Sequence, residues 1–365
     1  MSREACALID LDAVRDNLRV ARAVAARSRV MAVIKSDGYG HGLVRVAQAI
    51  GEDVDAFAVT DLDEALALRR AGFNQRIVLL QGPFEAAEIP LAAAEQLELV
   101  IHSAWQIEAI EQAQVSAALQ LWLKVDTGMH RLGFQADEVA AAWRRLTAIP
   151  AHTVNPEIGF MTHLACADDR DDTMTDRQIE AFEEACKDFG GPLSAANSAG
   201  LLGWLESHFD WVRPGIMLYG VSPFSDRQPL DFPLRPAMTL RGRIIAVKHL
   251  GAGQKVGYGA TWSCPEDMPI GIVSIGYGDG YPRHAMHGTP VDVAGRRASL
   301  VGRISMDMLA VDLRGMVTLP APGDPVTLWG EQPRPESVAD SAGTIAYELF
   351  CRTPSRVRRV YLDDQ

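Results

Sequence analysis

Val30-Met31-Ala32-Val33-Ile34-Lys35 is an apolar run that ends on a lysine, and runs like it return along the first third of the chain. AFAVT (56–60), IVLL (77–80), LELVI (97–101) and LQLWLKV (119–125) follow, at intervals of roughly 21–24 residues. Leu62–Arg70 and Trp105–Gln112, lying between them, carry the apolar recurrence of amphipathic helices. Strands that are apolar throughout, rather than alternating, belong to a parallel sheet covered on both faces. An opening strand at Ala5–Ile9 precedes this series. Later strands are expected at Glu157–His163, Leu193–Asn197 and Trp211–Tyr219, with helices over Thr173–Phe189 and after Ser198, making eight strands from VMAVIK to Tyr219. Alternating β/α units in that number, over roughly 200–250 residues, predict an α/β fold of the TIM-barrel, (β/α)8, type. An open doubly wound sheet is the alternative, weakened because no GxGxxG follows an early strand.

From about Phe232 the pattern changes. TLRGRIIAVKHL, PIGIVSIGYG, TPVDVAG, RASLVGRI, DMLAVDL and PVTLWG are short strands divided by Gly, Pro and Asp turns, with little helical pattern until the 340s. The expected organisation is therefore a barrel over residues 1–231 and a mostly β domain over 232–365. The opening strand is free to pack with the second domain, and SDRQPLDFPLRP (225–236) is the expected linker.

The 365 residues are 48% hydrophobic and 22% charged, the balance of a soluble globular protein. Net charge is −12 and no Lys/Arg run is present, which argues against nucleic-acid binding. Nor is any apolar run long enough to span a membrane. The opening MSREACALIDLDAVRDN lacks an apolar signal core, so a cytoplasmic location is expected. Cys6, Cys166, Cys186, Cys264 and Cys351 are odd in number and never in CxxC spacing. No metal site or disulfide framework is expected from them, only small buried residues with reduced thiols.

A lysine that closes an apolar barrel strand lies at the C-terminal mouth, where such folds place their chemistry. Low polarity there favours the neutral amine needed for a Schiff base. By position alone, a strand-end lysine more often snorkels to solvent. The residues that follow decide otherwise. VIKSDGYGHG (33–42) resembles the cofactor-lysine string of alanine racemases, usually written AVVKANAYGHG, and departs from it at Ser36, Asp37 and Gly38. Further similar blocks follow in the family's order. They are LIDLD (8–12), LKVDTGMHRLGF (123–134), THLACADD (162–169), ANSAG (196–200), RPGIMLYG (213–220), VGYGATW (256–262), IGYGDGYPR (275–283), GRISMDM (302–308) and AYEL (346–349). In the second of these, His130 replaces the usual Gly.

This resemblance implies an enzyme that interconverts L- and D-alanine with pyridoxal 5′-phosphate (PLP). Lys35 would carry the cofactor and serve as the base on one face of Cα, with Tyr258 the base on the other, since racemisation removes a proton from one side and returns it from the other. Arg213 would donate to the pyridine nitrogen, where many PLP enzymes put an aspartate. A guanidinium cannot accept that proton, so the ring is a weaker electron sink and side reactions are restrained. His163, at a barrel mouth, would position this arginine. Tyr39, Ser198, Tyr347 and the backbone of Gly215 and Ile216 would hold the phosphate, with Asn197-Ser198 doubling as a helix start. Arg131 and the amide of Met306 would take the substrate carboxylate, and Lys124 matches a position often carbamylated. Asp168, Tyr277, Arg283, Arg303 and Ile345 would line a narrow entrance. The family also implies a homodimer with shared active sites. Rival readings are a broad-specificity racemase, another barrel-type PLP enzyme such as a basic amino-acid decarboxylase, and a PLP-binding carrier. The last two fit poorly with Arg213 and with the β domain that carries Tyr258.

Overall fold

The computed structural model describes residues 5–224 and 233–362. Its first strand, β1 (Cys6–Ile9), stands apart from the barrel. The next eight close into a parallel barrel: β2 (Arg29–Val33), β3 (Ala56–Val59), β4 (Arg76–Leu79), β5 (Glu98–Ile101), β6 (Gln120–Lys124), β7 (Gly159–Met161), β8 (Leu193–Ser194) and β9 (Trp211–Val212). Arg29 opposite Trp211 joins the last strand to the first. The continuous apolar runs are accounted for, because β3 and β5 are buried at every position. Crossover helices include Leu11–Val24, capped by Asp10, whose carboxylate accepts from the Ala13 amide at 2.9 Å.

Large side chains fill the barrel. Trp122 meets Trp211 edge to face at 5.9 Å. A Cβ on Gly159, paired opposite Trp122, would lie 2.5 Å from the indole, so only glycine admits that ring. At the N-terminal end, Glu98 accepts from the Trp122 indole at 2.8 Å and from the Arg76 guanidinium at 3.0 Å. Arg76 in turn covers the Trp211 ring at 4.7 Å.

Several strands stop earlier than the apolar runs imply. β9 ends at Val212, because Pro214 has no N–H for a ladder, and the expected strand to Tyr219 becomes a 3-10 turn, Ile216–Tyr219. β7 and β8 end at Met161 and Ser194, leaving His163 and Asn197 on the loops above them.

The second half is an antiparallel assembly: β10 (Met238–Leu250), β11 (Lys255–Val256), β12 (Trp262–Ser263), β13 (Met268–Val273), β14 (Pro290–Val293), β15 (Arg296–Val301), β16 (Leu309–Asp312), β17 (Pro325–Trp329) and β18 (Arg358–Tyr361). The main sheet runs β13-β16-β15-β14-β17-β10-β1-β18, and β11 with β12 forms a separate ribbon. β1 therefore lies inside this sheet, antiparallel to β10 and parallel to β18. Helix Pro335–Ser341 packs against β17, and helix Ala346–Cys351 packs against that helix and against Lys35–Tyr39. The expected boundary at 231/232, and most of the expected linker, lie outside the described residues.

All five cysteines are free, but only Cys186 and Cys264 are buried. Cys351 is exposed, contrary to expectation, because it ends a helix at the rim of the cavity described below. No described helix is long and apolar enough to cross a membrane.

Candidate active site

Lys35 does not close β2. It opens a turn two residues beyond, and Ser36, Asp37, Gly38 and Tyr39 all take left-handed φ values of 54, 54, 61 and 50°. For residues with a Cβ this backbone costs about 1–2 kcal/mol apiece. Fixed partners offset the strain. The Asp37 amide donates to Glu64 at 3.1 Å, and the Asp37 carboxylate accepts from the Leu43 amide at 2.8 Å. Glu64 also accepts from the Thr60 amide at 3.1 Å, which ties the turn to the end of the next barrel strand.

Behind the turn lies a cavity of about 380 Å³ lined by Lys35, Tyr39, Lys124, Arg131, His163, Ser198, Arg213, Gly215, Ile216 and Tyr347, among others. Among the described residues no carboxylate lines it. Burial, and then the charge of Arg131, lower the Lys35 amine. Lys124 falls to about 7, through burial and then through Arg213, Arg131 and Lys35. Burial and the same cationic neighbours hold His163 well below its ordinary range.

Arg213 is anchored without a carboxylate. Its Nη1 donates to Ser194 Oγ at 2.6 Å, and Nη2 donates to the carbonyls of Thr162 at 2.6 Å and Ala195 at 3.0 Å. Nη2 also lies 3.3 Å from His163 Nδ1. A guanidinium only donates, so Nδ1 accepts and the neutral His163 carries its hydrogen on Nε2. None of these bonds uses Nε, and Nη1 makes only one of its two, so donors of this cavity-lining arginine are left for a ligand. Burial brings the guanidinium down to about 9, still cationic at neutral pH. Sequence reasoning missed Ser194, although a buried serine in an apolar barrel strand was a usable signal. It also missed Gln178, whose amide donates to Thr127 and to the His163 carbonyl, both at 3.1 Å.

At the other side of the cavity, Ser198 Oγ accepts from the Gly215 amide at 2.8 Å. A Cβ on Gly215 would sit 2.8 Å from the Tyr39 hydroxyl, so the backbone approaches there as only glycine can. Burial raises the phenols of Tyr39 and Tyr347, which keeps both as protonated donors. Hydroxyls, amides and cations without a competing anion fit a phosphate group, and with Lys35 they fit pyridoxal phosphate.

The remaining candidates lie elsewhere. Asp168 and Ile345 line an adjoining cavity of about 670 Å³ that shares His163 and Tyr347 with the first. Tyr258 and Met306 do not line the Lys35 cavity, and both are exposed, at 64% and 52%. They form a second group on loops of the β domain. The amides of Tyr277 and Gly278 donate to the carbonyls of Ser305 and Met306 at 3.0 and 2.8 Å. A Cβ on Gly259, next to Tyr258, would lie 2.9 Å from the Arg303 guanidinium. Arg283 reaches over the Tyr277 ring at 6.0 Å. His130 adopts a left-handed φ of 55°, the conformation a glycine would take without cost, and is held by Asp126, which accepts from its amide at 3.0 Å.

The fold and cavity define a barrel enzyme with a basic, anion-seeking mouth and a C-terminal β domain. The profile of the alanine racemase N-terminal domain matches residues 9–223, and that of the alanine racemase C-terminal domain matches residues 237–361. An alanine racemase of Halorhodospira halophila is 64% identical over the full length of both chains. One from Nitrosococcus oceani is 49% identical over 97% of this chain and 98% of its own. The crystal structure of the biosynthetic alanine racemase from Pseudomonas aeruginosa superposes with a TM-score of 0.94 at 43% identity, covering 98% of this chain and 99% of that one. The chain belongs to the alanine racemase family.

Two histidines that the fold holds neutral, His41 and His163, make stability depend on pH. Burial pushes His41 down to about 4 and His163 well below 6.5, so both are neutral when folded. Unfolded, each takes up a proton near pH 6.5. The unfolded state therefore binds more protons in this window, and stability declines as pH falls below about 6.5. His41 alone accounts for about 3 kcal/mol by pH 4. We expect the urea unfolding midpoint to fall steadily from pH 7 to pH 4, and His163→Asn to flatten part of that fall. A midpoint constant over this range would contradict histidines held neutral by the fold.

Proposed function

We propose that the chain interconverts L-alanine and D-alanine with pyridoxal phosphate held at the barrel mouth. The observation that carries this reading is one cavity joining Lys35, the Gly215–Ser198 cradle and an arginine anchored without a carboxylate, in a chain of this family. Lys35 would hold the cofactor through its amine, Tyr39, Ser198, Gly215, Ile216 and Tyr347 through its phosphate, and Arg213, steadied by His163, at its ring nitrogen. Bound there, pyridoxal phosphate supplies an aldehyde that takes up amines and a ring that draws electrons from Cα. The Lys35 amine, held toward its neutral form, moves a proton on one face of Cα, and the Tyr258 hydroxyl does so on the other. Arg131 and the Met306 amide orient the substrate carboxylate. Asp168, Tyr277, Arg283, Arg303 and Ile345 narrow the approach, which favours a methyl side chain. Free cysteines throughout fit a reducing compartment, the cytoplasm. The purified protein with pyridoxal phosphate should convert L-alanine to D-alanine, and Lys35→Ala should lose at least about a thousandfold. Borohydride should leave a pyridoxyl group on the Lys35 peptide; labelling only at another lysine would refute the assignment.

Lys124 is proposed to be carbamylated. Its buried amine, at about 7, is substantially neutral at physiological pH. The nitrogen lone pair attacks carbon dioxide, a C–N bond forms, one proton leaves to solvent, and the new anion sits among Arg131, Arg213 and Lys35. Protein equilibrated with ¹³C-bicarbonate should show a carbamate resonance that Lys124→Ala abolishes, and acetate should restore part of that variant's activity. No such resonance in the parent protein would dismiss the modification.

The Lys35 and Tyr258 groups are proposed to meet across an isologous homodimer, each cavity covered by the partner's β domain. The exposed Tyr258 and Met306, absent from the cavity of their own chain, support this. Lys35→Ala and Tyr258→Phe should each be nearly inactive. After subunit exchange about half the dimers are mixed, each with one intact site, so about a quarter of all sites should recover. Recovery near zero, with exchange confirmed independently, would exclude sharing.

A further inference from the structure

Ser36, Asp37 and Gly38, where the turn departs from the family string, have no part in the function above. The structure gives Asp37 one. Its Oδ1 accepts from the Leu43 amide at 2.8 Å, and its Oδ2 lies 3.0 Å from Nη2 of Arg359. Nε of the same arginine donates to the Gly40 carbonyl at 2.7 Å. One guanidinium thus spans the left-handed turn, gripping it at Asp37 and again at Gly40. Two residues further along, the Tyr361 hydroxyl donates to the His41 carbonyl at 3.1 Å and lies 2.2 Å from where a Cβ on Gly42 would be. Both side chains come from β18, which is pinned parallel to β1 at the edge of the main sheet.

We infer that β18 straps the lysine turn, and that Arg359, acting through Asp37 and the Gly40 carbonyl, is a positioning residue for the Lys35 amine. This rests on the assignment of Lys35 above. A run of left-handed residues bearing side chains relaxes unless its surroundings over-determine it. Glu64 fixes the turn from the barrel side, through the Asp37 amide; Arg359 fixes it from the sheet side. Asp37 is 54% exposed and Arg359 only 21%, so the pair alone would count for little. The grip comes from geometry, because a planar donor set reaches a carboxylate and a backbone carbonyl at once. In the family string an asparagine stands at position 37. Asparagine tolerates left-handed backbone and keeps an acceptor for Leu43, but offers Arg359 no anionic oxygen.

Asp37→Asn, Arg359→Gln and the double variant, each full length and loaded with pyridoxal phosphate, test the strap. Arg359→Gln should lower kcat for alanine about tenfold, change KM less than about twofold, and speed cofactor release on dilution several-fold. Asp37→Asn should lower kcat about two- to threefold, and the double variant should be no worse than Arg359→Gln, since both changes break one linkage. Arg359→Lys, which keeps the charge but not the fork, should fall between the parent and Arg359→Gln. Unchanged kcat and cofactor release in Arg359→Gln would overturn the inference. So would strictly additive losses, or losses that merely follow a lowered thermal midpoint. Should Arg359→Gln fail to fold, Asp37→Asn alone decides, with faster cofactor release supporting the strap and an unchanged rate rejecting it. If the parent protein neither retains the cofactor nor racemises alanine, the assignment of Lys35 fails instead.

Discussion

Lys35, Lys124, Arg131 and Arg213 line the mouth of one barrel, Lys124 and Arg213 buried, Lys35 half-buried and Arg131 at the exposed rim, and among the described residues no carboxylate lines the cavity with them. Removing like charges from water and crowding them is costly, and the chain meets that cost in two ways. The lysines can discharge: burial and mutual repulsion bring Lys124 to about 7 and lower Lys35 as well. Arginine cannot do so near neutrality, and Arg213 instead spreads its charge over carbonyls, the Ser194 hydroxyl and a neutral imidazole. Neutral dipoles of this kind satisfy N–H groups without cancelling charge. The mouth stays positive and receptive to anions, while its amines become usable as bases.

Barrel closure is what holds this arrangement. The partners of Arg213 follow or belong to successive strands: Thr162 just beyond β7, Ser194 in β8, and Arg213 itself one residue beyond β9. The strand register therefore fixes the guanidinium, and a loop alone could not place it so firmly. The opposite end of the barrel is built for another purpose. There Glu98 receives Arg76 and the Trp122 indole, so its charge is paired and spent on stability. One end is electrostatically closed and the other left open, as the division of labour in such barrels requires.

Apolar runs in the sequence located all eight barrel strands, because buried parallel strands leave an unbroken hydrophobic record. Strand ends were harder to read. The turn after Lys35 runs through five consecutive left-handed residues of which only two are glycine, so composition gave little warning of it. β18 reads Arg-Arg-Val-Tyr, a pattern without strong alternation, and its strand character comes from pairing with β1 at the far end of the chain. The residues gathered at the mouth were legible through motif strings. Their supports were harder: Ser194 left a local signal only as a serine inside an apolar strand, and Gln178, Glu64 and Arg359 act through contacts between distant segments, for which no local pattern exists. Tyr258 and Met306 were legible as motif members only, and the fold of a single chain leaves them outside the Lys35 cavity.

That separation follows from what a barrel can offer. Its strands deliver side chains to the mouth from one side, so groups on β-strand ends approach a bound planar ligand from beneath or from the rim. A proton exchanged on both faces of one carbon needs a second group from above, and the β domain carries such groups on loops. Gly257 and Gly259 bracket Tyr258 with φ values of 77 and 72°, and Arg303 packs beneath them, so the phenol projects from a shaped base. Left in water, a projecting phenol lies in high dielectric and the mouth stays open to solvent. Seated over another chain's cavity, it would exclude water and bring its hydroxyl to the side of a bound ligand opposite Lys35. On this reading assembly and chemistry are one event, because the contact that buries the exposed tyrosine also completes the pair of bases.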